Sequence, residues 1–216
     1  MVDKAMNPEL LAELQQLALL SEADIDTSDS PEVLDWSGAS RGLFAEQPTV
    51  QRGYDVRAIA NWFLARGQAI GKTYSNLALN KLVYFAVERS LVDRNILLTP
   101  ARIEAWSHGP VFREIYQSFQ SFGDKVITDR AKKFSVKDRA MILAYEQLEP
   151  EDENFLEDIV NSFGKLSASV LREVSHATGG PWYVVWHYHG QSNPGMEITP
   201  AIIFEHAPER RGSDEK

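Results

Sequence analysis

Apolar positions recur with a helical period along most of this chain. Behind Asp55, a good capping residue, Val56, Ile59, Ala60, Phe63 and Leu64 fall on one face, and Gly67 marks the stop. Ser75 offers a second cap. Leu79, Leu82, Val83, Ala86 and Ser90 follow it on one side, while Leu77, Tyr84 and Phe85 make a second side apolar. A helix apolar on two sides is expected between other elements. Phe155, Leu156, Ile159, Val160 and Phe163 form a further stripe, opened by acids at 151–153 and closed by Gly164. Ser167 caps a helix with Val170, Leu171 and Val174 inward, ended by Gly179-Gly180-Pro181. Trp182 to Trp186 fits a short buried turn or strand, and Thr199-Pro200 opens a last helix with Ile202, Ile203 and Phe204.

The stretch 103–119 is expected to organise the rest. Ile103 to Trp106 alternates apolar with polar, as a short strand does. Gly109 allows a tight turn, and Pro110 suits the first position of a helix. Val111, Ile115 and Phe119, flanked by Phe112 and Tyr116, give that helix a wide apolar stripe, so a central helix is expected over 110–122, ending at Gly123. Ile96-Leu97-Leu98 is the expected strand partner of Ile103 to Trp106. A basic loop follows from Lys125, and Ser135 with Asp138 resembles a capping box that starts a helix through Met141, Ile142 and Tyr145.

The first fifty residues differ in character. Asn7 and Pro8 open a helix over 7–20, with Leu10, Leu11, Leu14, Leu17 and Ala18 in one stripe. Glu22, Asp24, Asp26, Asp29, Glu32 and Asp35 then crowd a segment with few apolar anchors, a composition that stays extended when alone. Trp36 and Phe44 are too large for that segment to bury, and Arg41 is its sole cation between residues 24 and 44. Two readings stand side by side. The segment wraps a partner, with Asp26, Asp29, Asp35, Trp36, Arg41 and Phe44 as contacts, or it packs back on its own domain. The expected organisation is an appendage over 1–53, a compact single domain over 54–206 and a charged tail over 207–216. The fold class is mainly α, with at most a small two-stranded β element.

Composition narrows the function classes. The 216 residues are 44% hydrophobic and 25% charged, ordinary for a soluble globular protein. No apolar run approaches the roughly 20 residues that span a bilayer, and no secretory signal is visible. With no cysteine, disulfides and thiolate metal sites are out, which suits a reducing cytoplasm. A net charge of -9 argues against broad phosphate-backbone binding and suits a basic partner.

Candidate chemistry is thin. Gly67 to Thr73 invites a phosphate-loop reading, but only three residues separate its glycines where four are needed, and it follows a helix. His187 and His189, with His176 or His206, could in principle bind zinc and support a small hydrolase. His108 with Glu104 could be a base and its orienter, although such a histidine more often bonds a backbone carbonyl. No nucleophile elbow occurs. Neither a cofactor nor enzymatic activity is expected, and the apolar clusters are explained as core.

A family resemblance adds to this. Asn61-Trp-Phe-Leu, Leu79-Asn-Lys-Leu-Val-Tyr-Phe-Ala86, Ile103-Glu-Ala-Trp-Ser-His-Gly-Pro-Val-Phe-Arg-Glu-Ile-Tyr116, Phe163-Gly-Lys-Leu-Ser167 and His176-Ala-Thr-Gly-Gly-Pro-Trp182 resemble the Panacea domain, the SocA-like antitoxin domain, in order and spacing over about 54–206. The resemblance implies a mostly helical domain that neutralises a neighbouring toxin by direct binding, or in at least one type acts as a proteolytic adaptor. A transcriptional autoregulator is a further alternative. The implied partner is a cognate toxin protein, with no membrane and no direct nucleic acid. Tyr84, Trp106, Gly109, Pro110, Phe112, Tyr116 and Trp182 are then its structural core motif. Two departures stand out: about fifty residues precede the first strong helix, and Val87-Glu88 replace a glycine. The acidic stretch from Ile25 to Phe44 resembles one in small antitoxins of the BrnA type, which implies toxin contact rather than a spacer.

Overall fold

The computed structural model describes residues 50–207. The expected helix over 7–20 and the six expected contact residues Asp26, Asp29, Asp35, Trp36, Arg41 and Phe44 lie outside the described residues. Within 50–207 there are seven α-helices and three separate two-stranded sheets. Helices dominate, but the strand content exceeds the single small pair expected. Among the described residues no helix is long and apolar enough to cross a membrane.

The chain enters through β1 (Val50–Gln51) and α1 (Val56–Ala69), whose Asp55 cap accepts from the Arg57 amide. Then comes α2 (Asn76–Arg94), capped by Ser75 and closed by Asn95 in the left-handed region at φ 54°. This helix, rather than the stretch 103–119, is the centre of the domain. Every residue from Ala78 to Leu91 is buried, and it packs on α1, on the later helices and on two strands. The two apolar sides seen in the sequence fit this role.

Two expected pairings are replaced. The strand β2 (Ile96–Leu97) pairs in parallel with β1, not with Ile103–Trp106. The strand β3 (Ile103–Trp106) instead pairs antiparallel with β4 (Gly109–Phe112), so residues 109–112 are extended and the helix α3 (Arg113–Phe119) starts later than expected. The cause is tertiary. Lys81 Nζ donates to the Pro110 carbonyl at 2.7 Å, and the Phe112 amide donates to Asn80 Oδ1 at 3.1 Å. With the β3 ladder, these hold as strand a segment that local signals start as helix. A 3-10 turn over Gln120–Phe122 then ends at Gly123.

The segment expected to be a helix from Ser135 is a hairpin of β5 (Lys132–Ser135) and β6 (Ala140–Leu143). Ser135 and Asp138 do bond each other: the serine hydroxyl donates to the Asp138 carboxylate and accepts from the Asp138 amide. The bonds of a capping box here close a turn, with Arg139 at φ 50°. Asn61 of α1 fastens the hairpin base, accepting from the Ala131 amide and donating to the Ala131 and Ala144 carbonyls.

The remaining helices are α4 (Pro150–Phe163), α5 (Ala168–Ser175), α6 (Pro181–Trp186) and α7 (Pro200–His206). Ser167 and Thr199 cap α5 and α7 as their positions suggest. On α5 only Leu171 of the expected inward trio is buried, and Val170 and Val174 are exposed. The segment 182–186 is helical.

Candidate functional site

Residues from three of the segments that carry the family resemblance, 79–86, 103–116 and 176–182, meet on one side of α2. The turn between β3 and β4, the end of α5 and the start of α6 meet there. Lys81 is fully buried, and its amine points at the β4 backbone. Gly109 has φ 100°, and a Cβ there would lie 2.7 Å from Lys81 Nζ and 2.8 Å from Ser175 Oγ. Ser175 in turn donates to the Arg172 carbonyl. Burial first, and then the Arg172 charge, hold the Lys81 amine well below its ordinary value.

Beside this cluster, aromatic rings stack. His176 lies parallel to Trp182 with ring centroids 3.7 Å apart, and Trp182 stacks on Trp186 at 5.6 Å. The Trp182 indole N–H donates to the Trp106 carbonyl at 2.9 Å, tying α6 to the end of β3. Burial, and then the Arg172 and Lys81 charges, hold the His176 imidazole down to about 4, so it is neutral at physiological pH.

On the outer side, Glu104 of β3 is buried and accepts from the Trp106 indole and from Nε and Nη2 of Arg113. Burial pushes its carboxyl up, but the Arg113 and Trp106 hydrogen bonds and the Arg113 charge outweigh that and hold it below the usual value. Tyr116 packs edge-on against Trp106 and is 39% exposed.

The structure thus gathers Trp106, Gly109, Pro110, Tyr116 and Trp182 into one neighbourhood. Phe112 lies in the core, and Tyr84 sits further along α2, where its hydroxyl donates to Glu88 at 2.6 Å. Sequence reasoning missed Lys81, Asn80 and Ser175 as parts of this neighbourhood. Lys81 had a signal: a lysine inside a helix apolar on two sides has little open surface to reach.

The alternative chemistries find other arrangements. Glu104 is taken up by Trp106 and Arg113, and His108 is exposed with its backbone toward His176. Gly67 lies inside α1, where a Cβ would meet the Tyr74 ring at 2.6 Å, so the close return of the following loop accounts for it. His187 rests on Tyr183 and His189 on Tyr188. Among the described residues no group of three or more His, Asp or Glu could hold a metal ion.

Further along the same face of α2, Phe85, Glu88, Phe163, Ala177 and Pro181 line a cleft of about 270 Å³ that Ser175 also borders. Burial raises the Glu88 carboxyl to about 7, against weaker opposing effects of Tyr84 and Arg89. Its folded value lies above the unfolded one, so its protonated form adds stability that is complete below pH about 4.5 and is lost as pH rises through about 7. The loss is about 3 kcal/mol. His176 acts in the opposite sense, losing stability as pH falls from 6.5 toward 4, so the wild-type curve alone hides the effect. Glu88→Gln isolates it: urea titrations should show the variant gaining on wild type from pH 5 to pH 8. A difference independent of pH would mean that Glu88 is solvated.

What the site defines is a helical domain whose recurring polar side chains brace backbone at one corner. Residues 79–183, which carry nearly all of that corner, match the family described as Antitoxin SocA-like, Panacea domain. The chain is also 40% identical over 150 residues to "Antitoxin SocA" of Caulobacter vibrioides (strain NA1000 / CB15N), covering 69% of this chain and 80% of that protein. No solved structure matches. The chain belongs to the SocA-like, Panacea-domain antitoxin family.

Proposed function

We propose that this chain is an antitoxin that neutralises a cognate toxin by binding it directly. The observation that carries the reading is 40% identity to a protein named Antitoxin SocA across 80% of that protein's length. The buried Lys81 and Ser175, packed against Gly109, brace backbone, which suits a binding role. The toxin is basic, and the acidic segment 24–44 contacts it. Its carboxylates steer association, while Trp36 and Phe44 are buried at the contact. Neutralisation is by occlusion of the toxin's active surface.

Co-expression with the neighbouring reading frame, scored by growth rescue and co-purification, tests the reading. Absence of both growth rescue and co-purification would overturn it. Deletion of residues 1–50 tests the contact. Affinity for the co-purified toxin is expected to fall, and its salt dependence to flatten, because screened charge attraction is removed. An unchanged dissociation constant with unchanged salt dependence would assign toxin contact to the remainder of the chain.

A further inference from the structure

The β5–β6 hairpin has an outer face that the fold does not use. Directly opposed residues of an antiparallel pair share a face. Lys132 opposes Leu143 and Phe134 opposes Met141, so these four lie together. Tyr145 continues the same alternation, since Ala144 between it and Leu143 is fully buried. Toward its base the opposite face meets the body, where Lys133 reaches Asp55 and Glu146. On the outer face Phe134 is 60% exposed, Met141 59%, Leu143 51% and Tyr145 70%, with Val136 at the tip 83% exposed. Five neighbouring large apolar groups at such exposure make a patch of the kind that marks an interaction site.

Two further features say what fits it. One is charge. Between residues 130 and 143, apart from the Lys133 already paired on the body side, stand four cations, Arg130, Lys132, Lys137 and Arg139, against the single acid Asp138, in a chain of net charge -9. The hairpin is a basic rim around an apolar patch on an acidic protein. The other is backbone. The sheet has only two strands, so among the described residues each outer edge lacks a strand partner. By contrast, β3 has its second edge covered by the segment 195–198, through bonds from Ala105 to Met196 and from Ile198 to Ile103. A free strand edge is a template for an added extended segment.

We propose that the outer face of the β5–β6 hairpin docks a partner protein through an extended apolar segment flanked by Asp or Glu. Such a segment covers Phe134, Met141 and Leu143, its acids meet Lys132, Lys137 and Arg139, and its backbone pairs with a hairpin edge. A nucleic acid fits less well, because the patch is mainly aliphatic and the chain as a whole repels a polyanion. An anionic membrane fits less well, because lipid cannot pair the free edges. The proposal does not rest on the toxin reading, whose partner is of opposite charge.

The test is selection of a random peptide library displayed on phage against the full chain. Two variants serve as controls: Phe134→Ser/Met141→Ser/Leu143→Ser removes the patch, and Lys132→Glu/Lys137→Glu/Arg139→Glu reverses the rim. The second keeps the core and the apolar patch intact, so it stays informative where the first loses its fold. Selected peptides should combine apolar residues with Asp or Glu, and either variant should weaken them about tenfold or more. Peptides that ignore both variants, an absence of acid enrichment or failure to select any peptide would overturn the proposal. So would a patch-dependent change in oligomeric state, which would assign the face to a second copy, or variant-sensitive binding of a dT oligonucleotide or of phosphatidylglycerol vesicles.

Discussion

Replacing Asp152 with alanine should destabilise the domain by about 3–5 kcal/mol, the range for breaking a buried ion pair from one side. Asp152 stands in the first turn of α4 with its carboxylate fully buried. Three groups converge on it. Arg52 Nε and the Tyr54 hydroxyl donate to one oxygen at 2.8 Å each, and Arg94 Nη2 donates to the other at 2.6 Å. Tyr54 also accepts from the Glu149 amide, and Arg94 lies over the Phe155 ring. One carboxylate therefore joins the segment before α1, the end of α2 and the start of α4. Without it, Arg94 keeps its charge in a largely enclosed place with no carboxylate to meet it. Set against a typical total of about 5–15 kcal/mol, the loss decides whether the domain is folded at 37 °C. Asp152→Asn should cost less, since it retains some hydrogen bonding. Tyr54→Phe should cost about 1 kcal/mol, and less when Asp152 is already changed. Urea midpoints of wild type, the three single variants and the Tyr54→Phe/Asp152→Ala double variant check this. A cost below about 1 kcal/mol for Asp152→Ala would mean that water replaces the carboxylate.

The helix starts were legible because they are local. Asp55, Ser75, Ser167 and Thr199 each cap a helix within three residues of themselves, and nothing distant is needed to read them. The failures lie where a distant group decides. Pro110 reads as a helix start until Lys81, 29 positions away in sequence, takes its carbonyl. Ile96–Leu97 reads as the partner of the next strand, but the available edge belongs to Val50–Gln51, before two helices. The helix from Ser135 through Met141, Ile142 and Tyr145 reads off a local cap signal, but the chain turns back on itself there and Met141 and Ile142 stand on an exposed strand.

Much the same holds for the polar residues that organise the domain. Lys81, Asn61 and Asp152 are polar letters, and polarity at a single position reads as surface. Each instead satisfies backbone groups or charges from elements distant in sequence. Trp106, Gly109 and Trp182 could be picked out from the quoted family segments. What joins them, an indole N–H reaching a carbonyl and a glycine leaving room for an amine, exists only after folding.

That room for an amine gives the second large effect. Gly109→Ala should cost roughly 4 kcal/mol, from backbone strain of about 1–3 kcal/mol and overpacking of about 1–3 kcal/mol. At φ 100° a side chain is strained whatever surrounds it. The surroundings are also closed, since the new Cβ would sit 2.7 Å from Lys81 Nζ, 2.9 Å from Lys81 Cε and 2.8 Å from Ser175 Oγ. A lysine end is ordinarily free to move aside. This one is fully buried and donates to Pro110, so moving it gives up the bond that holds β4 extended. Ser175 can be removed from the clash independently. Ser175→Ala loses a hydroxyl bonded to the Arg172 carbonyl, yet it opens one of the crowded contacts, so Gly109→Ala should cost less in its presence. Thermal and urea unfolding of the two single variants and the double variant measure the coupling. Strict additivity, or a cost below about 1 kcal/mol for Gly109→Ala, would show that Lys81 yields freely and that the tight approach at Gly109 is not what fixes the β3–β4 turn.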